Sequence, residues 1–537
     1  MPDTQPPLPG ATARPARAAA VIILTLALLF PILLLGRLAP LPFARASLAM
    51  RIPWYQLDNE EGALLFQTLE MKQGRTIYRP LTDYPYVAGT YPPLYMLACA
   101  PFADADNPTF YMGRAMTAGA ALGIAVLIMA ITGMRAGNAL AGVAGGLAFL
   151  ATFEVYNWIA YYRADLPAIF LSLLGLMCVE VSQPRNRTAK ILSVLFFAAA
   201  FYTKQTVLAA PLAAVIHYFL RCGRRAGLSY LAGLAAALAV PFVILNLLTH
   251  GQFFEHTVIY NMNTWHAGDL LIWMRHAWRF YPWLIMAGGV ALTAGFIALL
   301  PRRGDAGAGP VGVIALYALF SLVGFAAVGK AGSAENYLLE PLAAVCLLVG
   351  EQFGRMIRIV LKGGRPLPAV MIAAALVLLM GAHSYRVERL RPIMFSPLKN
   401  PDSRDVAAAR EAVIKIVNEP GRTWSELGIL NLAAGRSIYF QPFIMSELAR
   451  QRRWNPGHLY DDLREGRFAL LVTNYDVASR KPTDVYTTEM LDILRSRYEQ
   501  TDQITGGRLW KYYLYRPRAP INQENLVSLD IARAAPS

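Results

Sequence analysis

Charged residues are scarce in this sequence: they make up 16% of 537 residues, where a soluble domain carries about 25%. That shortage excludes an ordinary water-facing globule and requires lipid around much of the chain. Cysteine is nearly absent. The four present, Cys99, Cys178, Cys222 and Cys346, show no CxxC spacing, and none falls in the polar C-terminal stretch. A disulfide framework and a thiolate metal site are thereby excluded. Acidic residues are outnumbered, 35 against 50 Lys and Arg, for a net charge of +15. Such a surplus would suit nucleic acid, but no basic stripe with interleaved aromatics is present, so no nucleic-acid partner is expected. The basic residues fall mostly in short loops between apolar runs, the pattern that sets membrane topology. Internal repeats are lacking, and only the Pro/Ala-rich N-terminus is of low complexity.

What is there is apolar: 55% of the residues are hydrophobic and the mean hydropathy is +0.37. The first apolar run, 18–38, follows Arg14 and Arg17 and exceeds the core of about 7–15 residues typical of a signal peptide, so it reads as a retained first span. About eleven spans of near 20 residues follow from the hydropathy, some shorter and packed inside the bundle. Their centres fall at Leu28, Gly119, Gly146, Leu173, Phe196, Ala213, Ala236, Ala291, Leu319, Ala344 and Leu376.

Alternate loops carry the cations: Arg14 and Arg17; Arg135; Arg185, Arg187 and Lys190; Arg221, Arg224 and Arg225; Arg302 and Arg303; Arg355, Arg358, Lys362 and Arg365. The short opposite loops hold only Arg163, Lys204 and Lys330. Positive-inside orientation then makes 1–17 the expected cytoplasmic tail of a multi-pass membrane protein. The expected fold is mostly α. A polytopic helix bundle over 18–385, including a long outer loop 40–107, is followed by a small extracytoplasmic α/β domain over 386–537. Within the loop, 59–73 reads as a helix lying along the membrane interface. A second outer loop, 251–281, is rich in His, Asn and Trp. The tail alternates helix-like stretches (405–417, 457–464, 489–498) with strand-like ones (468–473, 509–515).

The unusual polar residues near the membrane gather on the outer side: Asp58, Glu60 and Glu61; Arg163 and Asp165; Lys204 and Gln205; Glu335, Asn336 and Tyr337. Each alone could be an interfacial charge solvated by headgroups, but as a set they are functional candidates. Asp58-Asn59-Glu60-Glu61-Gly62 opens a helix, where carboxylates suit the dipole. They also suit a general base beside a divalent cation. Asp58 is the preferred base, with Glu61, three residues on, as its partner or as a metal or sugar contact. Tyr78 and the Tyr91-Pro92-Pro93 segment fit sugar stacking and equally an aromatic belt. Asp165 caps the helix that Pro167 opens, leaving Arg163 to bind an anion, with Lys204 as a second point charge. Gly329-Lys330 to Tyr337 could line the same cavity. Two outward cations beside carboxylates suggest a phosphate-linked donor.

In this order the pieces resemble the GT-C superfamily of polytopic glycosyltransferases. The likeness is to the branch of protein O-mannosyltransferases, lipid A aminoarabinose transferases and rhizobial galacturonosyltransferases. It rests on Leu57-Asp58-x-x-Glu61-Gly62, Gly74-x-x-x-Tyr78, Tyr91-Pro92-Pro93, Arg163-x-Asp165-x-Pro167 and Tyr202-Thr203-Lys204-Gln205. The resemblance implies a sugar moved from a polyprenyl-phosphate donor to an extracytoplasmic glycan, lipid or protein. Asp58 would be the base or metal-associated carboxylate, and Arg163 and Lys204 would hold the donor phosphate. The chain departs from the adjacent Asp-Glu pair of many members, since Asn59 intervenes, and Glu60 and Glu61 both stay open as the partner. A divalent metal stays open, and no other cofactor is implied. The alternative is a transporter or lipid-linked-sugar flippase without transfer chemistry, which would show paired repeats and polar midplane residues.

Overall fold

The computed structural model describes residues 13–181, 186–297, 312–362, 366–479, 481 and 483–518. Most of the expected cytoplasmic tail, the basic-loop residues Arg185, Arg302, Arg303 and Arg365, and the last residues of the expected tail domain lie outside the described residues.

All eleven expected span centres fall within helices. Four segments are long and apolar enough to cross a bilayer by length and composition: Pro15–Arg51, Tyr111–Ala136, Arg224–Leu248 and Leu367–Met394. The other seven centres lie in helices of 12 to 23 residues, among them Ala139–Leu150, Asp165–Val181, Arg187–Thr203 and Leu339–Leu361. At 1.5 Å per residue the shortest reach about 18 Å, less than the hydrocarbon thickness, so they pack within the bundle. Leu339–Leu361 is its core. Buried along most of its length, it packs against Tyr111–Ala136, Ala139–Leu150, Pro282–Ile297, Val313–Gly324 and Pro366–Met394. The outer helices present bare leucines, with Leu33 at 68%, Leu247 at 70% and Leu378 at 72% exposure. A continuous apolar surface of this kind belongs against lipid.

The helix Tyr111–Ala136 runs between two polar ends. At one, Arg135 pairs with Glu180 and Glu351, and Arg358 donates to the Arg135 carbonyl. At the other lie Arg114 and the segments that bear the candidate residues. The expected interfacial helix corrects to Glu61–Lys72, in which every residue from Glu61 to Glu70 is buried. Its apolar face is not turned to lipid; the helix is covered by the C-terminal domain. A side chain at Gly62 would meet the Ile429 nitrogen at 2.9 Å, so glycine there permits the close approach of the two units.

The final bundle helix, Pro366–Met394, continues past Tyr385. Beyond it stands a four-stranded sheet: β1 (Arg422–Ser425), β2 (Phe468–Thr473), β3 (Tyr498–Ile504) and β4 (Tyr512–Pro517), in the order β1-β2-β4-β3. β1 and β2 are parallel, and the other pairs are antiparallel. β2 is buried at every position, which matches its unbroken Phe-Ala-Leu-Leu-Val run. Helices Ser403–Val417, Gly457–Arg464 and Thr488–Arg497 appear where the periodicity places them. The short helices Gly428–Ala433 and Pro442–Arg450 and the strands β1 and β3 are additional to the expected elements. The expected helix 489–498 ends one residue early because Tyr498 begins β3, a polar edge strand.

Candidate active site

Helix Glu61–Lys72 fixes the acidic cluster from below. Glu61 is fully buried and accepts from the Leu57 N–H (2.6 Å), the Asp58 N–H (3.2 Å) and the Tyr162 N–H (2.6 Å). Arg114 grips both its oxygens at 3.2 and 3.0 Å, and also donates to the carbonyls of Ala49 and Tyr55. Every lone pair of Glu61 is thus engaged, so its expected catalytic role is corrected to a scaffold. Glu61 ties the Asp58 loop, the Arg163 turn and a bundle helix together.

Asp58 sits on that scaffold, 21% exposed, with its Oδ2 3.1 Å from the Arg163 Nε. The same oxygen accepts the Glu60 N–H at 3.1 Å. Burial raises the Asp58 carboxyl from 3.8 to about 6; Arg163 opposes this, while Glu61 and Glu60 add to it. Arg163 projects from the turn between helices Phe153–Trp158 and Asp165–Val181, its guanidinium over the Trp158 ring at 5.1 Å. Burial alone would lower its pKa, but Asp58, Tyr91 and Glu60 outweigh this and hold it above the usual value.

A cavity of about 120 Å³ opens beside this pair, lined by Glu60, Tyr91, Arg163, Lys204, Gln205, Asn336 and Tyr337 among others. The structure therefore brings these expected residues together, and Glu60, not Glu61, is the acidic neighbour of Asp58 that faces the space. Lys204 is paired with Asp165, which also accepts from the Asn336 amide at 2.7 Å. Its ammonium lies 5.7 Å from the Tyr91 ring centre and 5.5 Å from that of Tyr337. Asp165 opens the helix Asp165–Val181, and its carboxylate takes up the charge of Lys204. Gln205 stitches the outer loops by donating to the carbonyls of Thr90 and Thr257.

Two expected residues stand apart. Tyr78 is buried against Phe253 and supports Tyr91 by donating to its carbonyl at 2.8 Å. Glu335 faces Asn157 at 3.4 Å, away from the cavity lining.

Lys330, in the outer loop expected to line the same cavity, does line it and donates to the Asn261 carbonyl at 3.2 Å. Among the described residues no carboxylate pairs with it, so it brings the uncompensated charge. Tyr337 senses this: burial would raise its hydroxyl, but Lys330 and Lys204 pull it below its usual value. Asn261, Asn263 and Trp158, and Gln441 and Phe443 from the C-terminal domain, complete the walls. For the last two no local sequence pattern gives a signal.

Among the described residues no three His, Cys, Asp or Glu side chains come together, and Asp58 already faces a guanidinium. Three cations on the walls suit an anion.

The bundle also carries an apolar groove of about 760 Å³, lined by Met274, Trp278, Leu284, Ile285, Leu322 and Leu342 among others. Its walls reach Ala326 and Leu338. From there the chain leads directly into Lys330 and Tyr337 of the cavity.

No protein-family model matches the chain, and no curated protein matches its sequence. Solved structures match its architecture. ArnT from Cupriavidus metallidurans, crystallised with undecaprenyl phosphate, superposes with a TM-score of 0.53 and 14% identity, covering 91% of this chain and 98% of its own. The Archaeoglobus fulgidus oligosaccharyltransferase in its apo form gives 0.52 and 12%, over 86% of this chain and 69% of its own. AglB from the same organism, in complex with an inhibitory peptide and a dolichol-phosphate, gives 0.51 and 11%, over 94% and 75%. These proteins share the GT-C fold, and that is the fold of this chain.

Proposed function

We propose that the protein is a membrane glycosyltransferase that moves a sugar from a polyprenyl-phosphate donor to a hydroxyl-bearing acceptor outside the cytoplasm. The observation that carries this reading is a cavity lined by Arg163, Lys204, Lys330 and Glu60, with Asp58 held 3.1 Å from one of those cations, Arg163. A long isoprenoid suits the groove, and a phosphate suits Arg163 and Lys330, with Lys204 as a third charge already shared with Asp165. The ArnT and AglB structures, with undecaprenyl phosphate and dolichol-phosphate, support a donor of this class.

In this reading Asp58 accepts the proton of the acceptor hydroxyl. The acceptor oxygen forms a bond to the anomeric carbon, the bond from that carbon to the phosphate oxygen breaks, and its electron pair leaves with the phosphate. Attack from the face opposite the phosphate inverts the anomeric centre. Arg163 and Lys330 stabilise the charge that grows on the leaving oxygens. A base with a pKa of about 6 is matched to neutral conditions. Arg163 touches both partners: it holds Asp58 and reaches the cavity where the phosphate would lie.

The test is turnover of a panel of synthetic polyprenyl-phosphate sugars by purified protein in lipid, with and without chelator. Polyprenyl phosphate released with transfer of the sugar, unaffected by chelator, is the expected result. Movement of a lipid-linked sugar across the bilayer with no covalent product would overturn it in favour of a transporter.

A further inference from the structure

The C-terminal domain sends a short bridge segment and the start of helix Pro442–Arg450 into the site. Residues 439–441 lie beside the outer loop: the Tyr86 N–H donates to the Tyr439 carbonyl at 2.8 Å, and the Gln441 N–H to the Tyr86 carbonyl at 3.0 Å. The loop is anchored in turn by Gln67, whose amide donates to the Ala88 carbonyl at 3.0 Å. Gln441 is therefore fixed at the backbone, and its side chain is only 7% exposed.

Its amide orientation is settled by chemistry. The Ala88 N–H at 3.2 Å can only donate, so the oxygen Oε1 faces it. The nitrogen Nε2 then faces Glu60 and donates to its Oε2. Glu60 is half-buried and has a double attachment. Its side chain is held by the C-terminal domain, while its own backbone N–H holds Asp58 Oδ2 at 3.1 Å. Among the described residues nothing donates to Glu60 Oε1.

Glu60, Gln441 and Phe443 border both the 120 Å³ cavity and a second crevice that extends toward Phe440, Glu426 and Val485 in the C-terminal domain. This crevice leaves the site on the side of the C-terminal domain.

We propose that Glu60 is the acceptor-hydroxyl subsite, its free Oε1 taking a hydrogen bond from a polyhydroxyl acceptor, and that Gln441 is the positioning residue that presents it. The assignment rests on the glycosyltransferase reading above. It makes the C-terminal domain part of the catalytic cavity. A carboxylate with one oxygen anchored has the other free and oriented, which favours a neutral sugar hydroxyl over an anionic group.

The test uses the full-length protein in lipid with a polyprenyl-phosphate sugar it turns over. Water and a panel of alkyl glycosides, octyl glucoside among them, compete as acceptors. Wild type should partition sugar onto a glycoside. Glu60→Gln and Gln441→Ala should lower kcat/KM for that glycoside about tenfold, the worth of one charge-assisted hydrogen bond, with donor KM unchanged. The double variant Glu60→Gln/Gln441→Glu restores the bond with its polarity reversed. The amide now at position 60 donates to the carboxylate now at position 441, and the Ala88 N–H still finds an acceptor. This variant should regain part of the loss.

Unchanged partition in both single variants overturns the proposal. So does a loss that the reversed pair fails to recover in any part, or a matching rise in donor KM, which would mark a merely structural contact. Wild-type turnover that no glycoside intercepts overturns the polyhydroxyl assignment alone. Absence of any wild-type turnover, even onto water, overturns the glycosyltransferase reading beneath it.

Discussion

Asp58 and Glu61 are three residues apart in sequence, yet burial gives them opposite duties. Asp58 keeps one side open, and the shift of its carboxyl from 3.8 to about 6 defines a pH dependence. A base must be deprotonated, so turnover should fall as pH drops through about 6. Arg163 opposes that rise, so residual turnover of Arg163→Ala should have its acid limb at higher pH; Glu60→Gln, which removes a raising charge, should move it lower. A pH–rate series on the three proteins checks both signs. Glu61, by contrast, neutralises a fully buried arginine. Removing one member of such a pair costs about 3–5 kcal/mol, so Glu61→Ala should unfold well below wild type in a thermal melt, whereas Asp58→Asn should not. The sequence made the acidic cluster legible because carboxylates at a membrane boundary are costly. It could not separate Glu61 from Glu60, because Arg114 lies 53 residues away and only the fold brings it in. Lys330 was legible as a cation on the sparse side, but its role depends on Asp165 having claimed Lys204.

At the scale of elements, the loop between Phe325–Gly329 and Glu335–Leu338 carries Lys330 into the cavity. Gly332 in that loop has φ +78, and a side chain on it would come within 2.4 Å of the Phe443 ring. Left-handed backbone costs a non-glycine residue about 1–2 kcal/mol. Gly332→Ala should therefore displace Lys330 and raise the donor KM severalfold. Gly435→Ala, at φ +70 with open space around it and outside the site, should cost stability and leave KM alone; equal KM effects would contradict the account. The span centres were readable because long apolar runs mark them. The burial of helix Glu61–Lys72 was not, because the partner that covers it is the domain some 360 residues later in the chain, as the bond between Gln56 and Ile429 shows by its separation of 373.

The whole molecule is a bundle with leucines facing lipid on the outside and an apolar groove of about 760 Å³. If an isoprenoid occupies the groove, its length matters. Ile285 lines it and is 41% exposed, so Ile285→Trp should raise KM for a long polyprenyl donor and leave a short-chain donor nearly unaffected. An equal effect on both would place the lipid elsewhere. The overall class was legible from hydropathy and loop charge, since both report directly on the bilayer as solvent. The closure of the cavity by the C-terminal domain was not, because it depends on Gln441 and Phe443, which reach the outer loop only through contacts distant in sequence.

The central claim is that Asp58 is the base of a sugar transfer, and the most direct measurement is single-turnover release of polyprenyl phosphate by wild type and Asp58→Asn at neutral pH. The account predicts release by wild type and loss of roughly a hundredfold or more in the variant, with the thermal melt of the two proteins the same. An Asp58→Asn protein that releases polyprenyl phosphate at the wild-type rate would contradict it.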